Sequence, residues 1–268
     1  MNSLVRLLDL ILKIQMAAVR IYADLRSQPV RTVVDFCKLA KIPFEVKQID
    51  LFKGEEKKPE FLAINAMGEV PALEDLREEN KGFSLGESHA IMKYIINTFE
   101  VADHFYPKEP KTRALIDQYL DGHHTKIRGI VKVLVPKVLL HLFAPPEVVK
   151  ARNDPKVLEP LEKAVEKSFK ELNDVYLGNP ARVALAKEKG LTNWIATVDE
   201  KPSIADLRAY EEIYQLVLLP EWLEKLLEAN PNVKEWFDKM GKIPEIKETQ
   251  ETLLGFKKYL AEKKEAAA

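Results

Sequence analysis

Residues 22–31 read YADLRSQPVR and form a predicted turn between a strand and a helix. Before them, the apolar run that begins at Val19 is typical of a short strand. After them, residues 32–40 place their apolar side chains at helical spacing. Ser27 ends the turn, and Pro29 stands at the start of the helix, where proline is well accommodated. Strand, turn and helix in succession are the first part of an α/β arrangement.

Two roles are open for Ser27 on the basis of this stretch. Its hydroxyl can cap the helix by accepting a hydrogen bond from a free backbone N–H group. It can instead face a ligand and donate a hydrogen bond to a developing anion, because the start of a helix favours negative charge. The choice between cap and ligand contact depends on the rest of the chain.

Composition limits the classes of function. The 268 residues suffice for one large domain or two modest ones, and 46% of them are hydrophobic, as a packed core requires. The formal net charge is −1, which gives no electrostatic case for nucleic acid as a partner. Cys37 is the single cysteine, so an intramolecular disulfide is excluded and a reducing compartment is favoured. Within its apolar helix, Cys37 is predicted to be a buried side chain rather than a nucleophile.

Residues 1–18 form a predicted N-terminal extension. They are apolar at helical spacing but carry Arg6, Asp9 and Lys13. The segment is too short and too charged to span a bilayer, and its charges make it a poor secretory signal. An added amphipathic helix, a weak mitochondrial presequence and a dispensable lead remain open, and we favour the last two. No integral membrane segment is predicted.

The elements up to residue 106 follow the order strand, helix, strand, helix, strand, strand, helix. After the first strand and helix, the predicted elements are a strand at 44–49, a short helix at 59–64, a hairpin of 73–75 with 82–85, and a helix from 86 onward. The second strand shows the apolar–polar alternation of a half-buried strand. A parallel unit followed by an antiparallel hairpin predicts a small α/β domain.

Pro71 is unusual directly before a strand, because proline removes a donor from the ladder of hydrogen bonds. A cis peptide bond after Val70 fits this position. That geometry would leave the N–H and C=O groups of Val70 free to pair with an extended peptide, as an added strand would. An ordinary trans proline in a loop is the alternative.

Glu87 and Ser88 open the helix that follows the hairpin. Either side chain can simply cap that helix. The pair can also hold an amino-acid-like group, with Ser88 and its backbone N–H binding a carboxylate and Glu87 binding an ammonium group.

Everything after the break at residues 106–110 is predicted to be helical. The predicted helices cover 112–143, kinked or split at Pro136, then 154–177, 207–219, 221–227, 232–240 and 244–264. Residues 181–189 suggest a turn or two of helix, and 194–198 a small strand, in a link of unknown role. Ser203 and Asp206 resemble a capping box, which serves folding rather than chemistry.

Several other kinds of site lack a pattern. His123 and His124 are neighbours on a helix and point about 100° apart, so they cannot share a metal ion as residues i and i+4 can. The sequence has no Gly-rich nucleotide motif, no Walker motif and no nucleophile elbow. It also has no Cys-x-x-Cys, so thioredoxin-type redox chemistry is excluded. No metal site is predicted.

Three motifs together resemble the cytosolic glutathione transferases. They are Ser27-Gln28-Pro29 after the first strand, Asn65-x-x-x-x-Val70-Pro71-Ala72-Leu73, and Glu87-Ser88-x-Ala90-Ile91. The phrase Asp24-Leu25-x-Ser27-Gln28-Pro29-x-Arg31 is most similar to the theta class, in which the active group is a serine of the first turn. The resemblance covers residues 19–259 and is strongest before residue 98. It implies a thioredoxin-like α/β domain at 19–106 and an all-helical domain at 107–268.

The resemblance implies an enzyme that conjugates the thiolate of glutathione, its co-substrate, to small electrophiles in detoxification. Ser27 would stabilise the thiolate by a hydrogen bond and would not act as a nucleophile. The implied glutathione-binding residues are Lys53, Glu56, Lys57, Glu69, Val70, Pro71, Glu87 and Ser88. The theta pattern has a histidine-containing segment in this loop, and the aligned place in this chain holds Glu56. Lys53 or Lys57 would therefore bind the glycyl carboxylate instead. The implied electrophile pocket includes Asp117, Gln118, Asp121 and Phe256.

The resemblance also implies a homodimer in the cytoplasm, or in mitochondria if residues 1–15 act as a presequence. A non-catalytic binding module of the same fold is the alternative function. A reductase or dehalogenase of the same superfamily would carry a cysteine where this chain has Ser27.

Overall fold

The computed structural model describes residues 17–266, so most of the predicted N-terminal extension lies outside the described residues. The chain divides into two compact units between Ala102 and Asp103. The domain boundary expected at residue 106 remains a prediction. Each unit is described by itself.

The first unit is built on a four-stranded sheet with the order β2-β1-β3-β4. The strands are β1 (Val19–Ala23), β2 (Phe44–Gln48), β3 (Ala72–Asp75) and β4 (Ser84–Leu85). β1 and β2 are parallel, whereas β3 runs antiparallel to both β1 and β4. The parallel pair followed by a hairpin confirms the order of elements predicted for this α/β unit.

Three helices accompany the sheet, and the longer two pack against each other. They are α1 (Gln28–Leu39), α2 (Pro59–Leu62) and α3 (Ser88–Thr98). Phe36 of α1 and Ile91 of α3 are fully buried, so the core lies between the two helices and the sheet. Cys37 is buried in the same layer, and this burial raises the pKa of its thiol. A buried, protonated thiol is a packing group, as the sequence predicts.

The second unit is almost entirely helical. Its helices are α4 (Pro110–His123), α5 (Ile130–Leu134), α6 (Pro146–Arg152), α7 (Pro155–Glu171), α8 (Pro180–Lys189), α9 (Ile204–Tyr214), α10 (Pro220–Glu228), α11 (Pro231–Met240) and α12 (Lys247–Ala266). Two short strands, β5 (Thr192–Asn193) and β6 (Val198–Asp199), pair antiparallel. No helix of residues 17–266 has the length and apolar content needed to cross a bilayer.

The helix predicted over residues 112–143 is interrupted mainly before Pro136, where its break was expected. α4 ends at His123, and Lys126 leaves the helical region with φ −112° and ψ −99°. Around Pro136 the chain stays helical but widens to a π-helical turn over Val135–Leu139. A wider turn accommodates a residue that lacks a backbone N–H, so the proline distorts the helix without ending it.

The link at residues 181–201 contains α8 and a small hairpin. The strand predicted at 194–198 is wrong, because Trp194–Thr197 form the buried connection between β5 and β6. The backbone N–H of Ile195 donates to Asp206 Oδ1 at 2.9 Å, which ties this connection to the start of α9. Ser203 and Asp206 form the predicted capping box at that helix start.

Candidate active site

Four segments of the first unit meet at one end of its sheet. The turn that contains Ser27 follows the carboxyl end of β1, and the loop 49–58 follows the carboxyl end of the parallel strand β2. β3 is antiparallel to β1, with Ala72 opposite Tyr22, so the residue pair before β3, Val70 and Pro71, lies at this same end. β4 is antiparallel to β3, which brings the start of α3 there as well.

Ser27 takes the N-cap position of α1 without using its side chain as a cap. Its hydroxyl makes no capping hydrogen bond within the described chain, and the residue is partly exposed. Its backbone is fixed on both sides, because Ser27 N–H donates to the Asp24 carbonyl at 2.9 Å and its carbonyl accepts from Arg31 N–H at 3.1 Å. The capping role is therefore wrong. The backbone of Ser27 is fixed, and its hydroxyl can donate a hydrogen bond to a ligand.

A network of charged groups holds the turn before Ser27. The Arg26 side chain donates to both oxygens of Asp24 and, at 2.6 Å, to Asp50 in the loop after β2. Asp24 in turn accepts the backbone N–H of Leu51 at 3.2 Å. The guanidinium group also stacks on the ring of Phe52, with its carbon 4.2 Å from the ring centroid. The Arg26 hydrogen bond lowers the pKa of Asp50, so this carboxylate stays ionised.

Arg31 supports the same turn from inside α1. Its side chain is buried and donates to the carbonyl oxygens of Leu25 and Arg26 at 3.0 and 3.2 Å. Bonds from a helix to the carbonyls of the preceding turn restrict the backbone next to Ser27.

Val70 and Pro71 are joined by a cis peptide bond, as predicted. The backbone N–H and C=O groups of Val70 make no hydrogen bond to the described part of the chain. Glu69, the residue before Val70, is held in place because the Asn65 side chain donates to its carbonyl at 2.7 Å. The free pair of backbone groups is suited to bind an extended peptide.

Glu87 directly precedes α3 and has a positive φ of 65°. Few residues other than glycine adopt this conformation, which stores strain at a defined place. Ser88 begins the helix and is buried, so its backbone N–H belongs to the first turn, where N–H groups have no helical partner. Asn65 packs directly on Gly86, since a Cβ atom at Gly86 would lie 3.0 Å from the Asn65 amide nitrogen.

The loop after β2 contributes the residues predicted for the glycyl end. Lys53 is exposed and pairs with Asp50 at 3.3 Å, whereas Lys57 donates to the Gly68 carbonyl at 2.7 Å. Glu56 has one carboxylate oxygen, Oε2, buried without a hydrogen-bond partner in the described chain. The loop therefore offers a ligand both cationic and anionic groups.

The residues predicted for the electrophile pocket all lie in the second unit. Asp117, Gln118 and Asp121 are on α4, and Phe256 is on α12, stacked on Tyr259 with ring centroids 6.2 Å apart. Both oxygens of Asp117 accept from the Tyr106 hydroxyl at 2.8 Å. Asp117 thus has a partner within its own unit, whereas Gln118 and Asp121 are exposed. Their role in a pocket remains a prediction.

Sequence reasoning missed the roles of three supporting residues, Arg26, Arg31 and Asn65. Arg31 and Asn65 stand within the motifs that carry the resemblance, so a signal for them was present. Arg26 lies at an unspecified position of those motifs, and only its contact with Asp50 reveals its role. Residues 17–266 contain no cluster of three or more side chains that could hold a metal ion.

Comparison with known proteins agrees with this geometry. The family model "Glutathione S-transferase, N-terminal domain" matches residues 16–97. Over 255 residues the chain is 34% identical to glutathione S-transferase T1 of Arabidopsis thaliana, covering 93% of this chain and 95% of the relative. It is 33% identical over 222 residues to human glutathione S-transferase theta-2, covering 81% of this chain and 78% of the relative.

Solved structures give the same result. A human theta-class glutathione transferase in complex with the glutathione conjugate of 1-menaphthyl sulfate matches with a TM-score of 0.72. The two chains are 30% identical, and the match covers 92% of this chain and 91% of that one. A human theta-2 structure in complex with glutathione matches with the same TM-score, 0.72, at 30% identity over 91% of each chain.

Proposed function

The chain belongs to the theta class of the glutathione S-transferase family, and we propose that Ser27 stabilises the glutathione thiolate in its reaction. The observation that carries this proposal is the Ser27 hydroxyl, which stands at the helix start without serving as a cap. A thiol has a pKa of about 8.5 in water, so a neutral solution holds little thiolate. A hydrogen bond to the charged sulfur lowers that pKa.

The reaction then needs no protein nucleophile. The S–H bond of glutathione breaks and its proton leaves to solvent, while Ser27 keeps its own proton and donates a hydrogen bond to the sulfur. The thiolate attacks an electrophilic carbon, a C–S bond forms, and a leaving group departs or an epoxide ring opens. The positive end of α1 adds to the stabilisation of the anion.

The segments at the sheet end divide the binding of glutathione among them. The free backbone groups of Val70, held by the cis bond to Pro71 and flanked by Glu69, pair with the cysteinyl residue. The Glu87 carboxylate binds the γ-glutamyl ammonium group, and the Ser88 hydroxyl and N–H bind its carboxylate. The strained backbone at Glu87 supports this assignment, because such strain is typical of functional positions.

The wider assignments rest on the family. Small electrophiles in detoxification, a pocket that includes Asp117, Gln118, Asp121 and Phe256, a cytoplasmic location and a homodimer all belong to this proposal. The exposed Gln118 and Asp121 support the pocket, because their side chains are accessible to a substrate.

Replacement of Ser27 tests the proposal. In Ser27→Ala the turnover of glutathione with a small alkyl halide should fall about 100-fold, as expected for the loss of a donor to a developing anion. Retention on immobilised glutathione should persist, because the other contacts remain. Ser168→Ala is the matched control, since the Ser168 hydroxyl donates to the Ala164 carbonyl of its own helix and has no other hydrogen bond among residues 17–266. Unchanged turnover in Ser27→Ala would show that the hydroxyl has no part in the chemistry.

A further inference from the structure

The link at residues 181–201 builds one wall of a cleft in the second unit. Helix α8 and strand β5 form this wall, and helix α11 forms the opposite one. The cleft has a volume of about 230 Å³, and its lining includes none of the residues proposed to bind glutathione or the electrophile. Pockets for drug-sized ligands begin at roughly 300 Å³, so this cleft is suited to a smaller molecule.

Hydrogen bonds hold both walls of the cleft in place. The Asn193 side chain of β5 donates to the Leu177 carbonyl at 2.6 Å. On the other side, the Asn173 side chain accepts the backbone N–H of Asn232 at 2.8 Å, at the start of α11. A cleft with fixed walls exists before a ligand arrives, so little of the protein has to be ordered on binding.

The interior surface of the cleft is largely apolar. Leu177, Ala186 and Trp236 are buried along it. Val183 on α8 lines the same cleft but leaves 45% of its surface exposed. An apolar group placed in the cleft would remove this surface from water, which is favourable. The cleft therefore favours a ligand with an aliphatic side chain.

Two opposite charges stand at the rim of the cleft. Glu235 and Lys239 line it one helical turn apart on α11 and pair with each other at 2.8 Å. Both side chains are exposed, and an exposed ion pair contributes little to stability, so a ligand can open this pair easily. On the opposite wall, the Thr192 hydroxyl makes no hydrogen bond among residues 17–266 and can donate or accept one.

We propose that this cleft binds a free amino acid with an aliphatic side chain. The ammonium group of the amino acid donates to Glu235 and its carboxylate accepts from Lys239, in place of the bond between these two residues. The aliphatic side chain enters the cleft and covers Val183. A ligand with only one of the two charges would leave one rim residue without the partner that it gave up, so the site selects a zwitterion. This inference does not depend on the proposed function.

Calorimetric titration of the full chain with L-leucine tests the site. Isocaproate has the same side chain and the carboxylate but no ammonium group, whereas leucine amide has the ammonium group but no carboxylate. Each should bind about tenfold more weakly than leucine, through loss of a hydrogen bond between charged groups. L-Alanine lacks most of the aliphatic side chain and should also bind about tenfold more weakly.

Two charge variants should act on different probes. Glu235→Gln should weaken leucine binding about tenfold but should not weaken isocaproate, because Lys239 then has no competing carboxylate. Lys239→Gln should likewise weaken leucine without weakening leucine amide. A purely structural role of the ion pair would not produce this crossover. Glu262→Gln is the control, because it removes the carboxylate of another such pair, with Lys258 on α12, and should change no affinity.

A third variant blocks the cleft without removing a charge. Val183→Trp fills the space from an exposed position and should abolish leucine binding while glutathione conjugation continues unchanged.

Three results would overturn the inference. They are no binding of leucine to the wild type, equal affinity of the wild type for leucine and its two singly charged analogues, and undiminished leucine binding in Val183→Trp. The proposed function would stand in each case, because its glutathione contacts lie in the first unit.

Discussion

At the residue scale, one guanidinium group connects the catalytic turn with the loop after β2. Arg26 bridges Asp24 and Asp50, and neither carboxylate belongs to the proposed set of ligand contacts. Ser27 directly follows Arg26 in the chain. The position of its hydroxyl therefore depends on residues that never touch the substrate. Arg26 is a positioning residue in this account.

We predict that Arg26→Gln lowers kcat/KM for glutathione conjugation about tenfold, since a displaced donor loses much of its effect. The loss should appear together with a raised pKa of the bound thiol, which a merely structural role would not produce. Arg20→Gln is the matched control, because Arg20 likewise bridges two carboxylates, at 2.5 Å to Glu45 and 2.7 Å to Glu74, on the sheet itself. Steady-state kinetics that show equal activity in the two variants would contradict this role.

Local chemistry explains what could be predicted from the sequence at this scale. The cis bond at Pro71 follows from a proline directly before a strand, which is a local feature. The contact of Arg26 with Asp50 joins residues 24 positions apart, and an arginine in a turn gives no indication of its partner. The unpartnered oxygen of Glu56 likewise depends on how the loop packs and has no signature in the sequence.

At the element scale, the start of α3 carries strain that the rest of the unit must support. Glu87 has φ 65°, and Lys41, which follows α1, has φ 55°. Neither is a glycine, although glycine adopts this region most readily. The strain at Glu87 coincides with a proposed ligand contact, whereas Lys41 has no such role.

Substitution by glycine should separate strain from function. Glu87→Gly and Lys41→Gly should each raise the free energy of unfolding by about 1 kcal/mol, because glycine relieves the positive φ. Only Glu87→Gly should also weaken glutathione binding, by about tenfold, through loss of the carboxylate that holds the ammonium group. Urea unfolding and calorimetric titration check the two effects. Equal glutathione affinity in both variants would show that Glu87 makes no contact with the ligand.

The same scale shows where sequence patterns fail. The end of α4 at His123 was not predicted, because Lys126, where the backbone leaves the helical region, has no helix-breaking character. Pro136 does not end the helix, because a π-helical turn over Val135–Leu139 accommodates it. The capping box at Ser203 and Asp206 was predicted because its spacing is local and specific.

At the scale of the whole molecule, a buried charged cluster in the second unit couples stability to pH. Glu212 pairs with Arg208 at 2.9 Å and with Arg128 at 3.0 Å, and His123 Nε2 lies 3.4 Å from the same carboxylate. Burial lowers the pKa of His123 to about 3, and the positive charge of Arg208 adds to this effect. His123 is therefore neutral in the folded protein at every physiological pH.

This depressed pKa predicts the direction of acid destabilisation. An unfolded histidine binds a proton near pH 6.5, whereas folded His123 binds one only near pH 3. The contribution of neutral His123 to the free energy of unfolding is thus fully present above pH 6.5. It is lost as the pH falls, at about 1.4 kcal/mol per pH unit. The free energy of unfolding, measured with urea at pH 7.5 and at pH 5.0, should therefore fall by about 2 kcal/mol less in His123→Asn than in wild type.

The neighbouring histidine supplies the control for the acid profile. His124 is exposed, so His124→Asn should keep the pH dependence of the wild type. If His123→Asn and wild type lose stability equally between pH 7.5 and 5.0, then His123 takes up its proton in the folded state and the burial argument fails.

The most direct test of the whole account is the titration of the thiol of bound glutathione, followed by thiolate absorbance in the ultraviolet. We predict that wild type lowers the thiol pKa below its value of about 8.5 in water and that Ser27→Ala returns it close to that value. Ser168→Ala should behave as the wild type does. A thiol pKa that stays equally low in Ser27→Ala would contradict the claim that the Ser27 hydroxyl stabilises the thiolate.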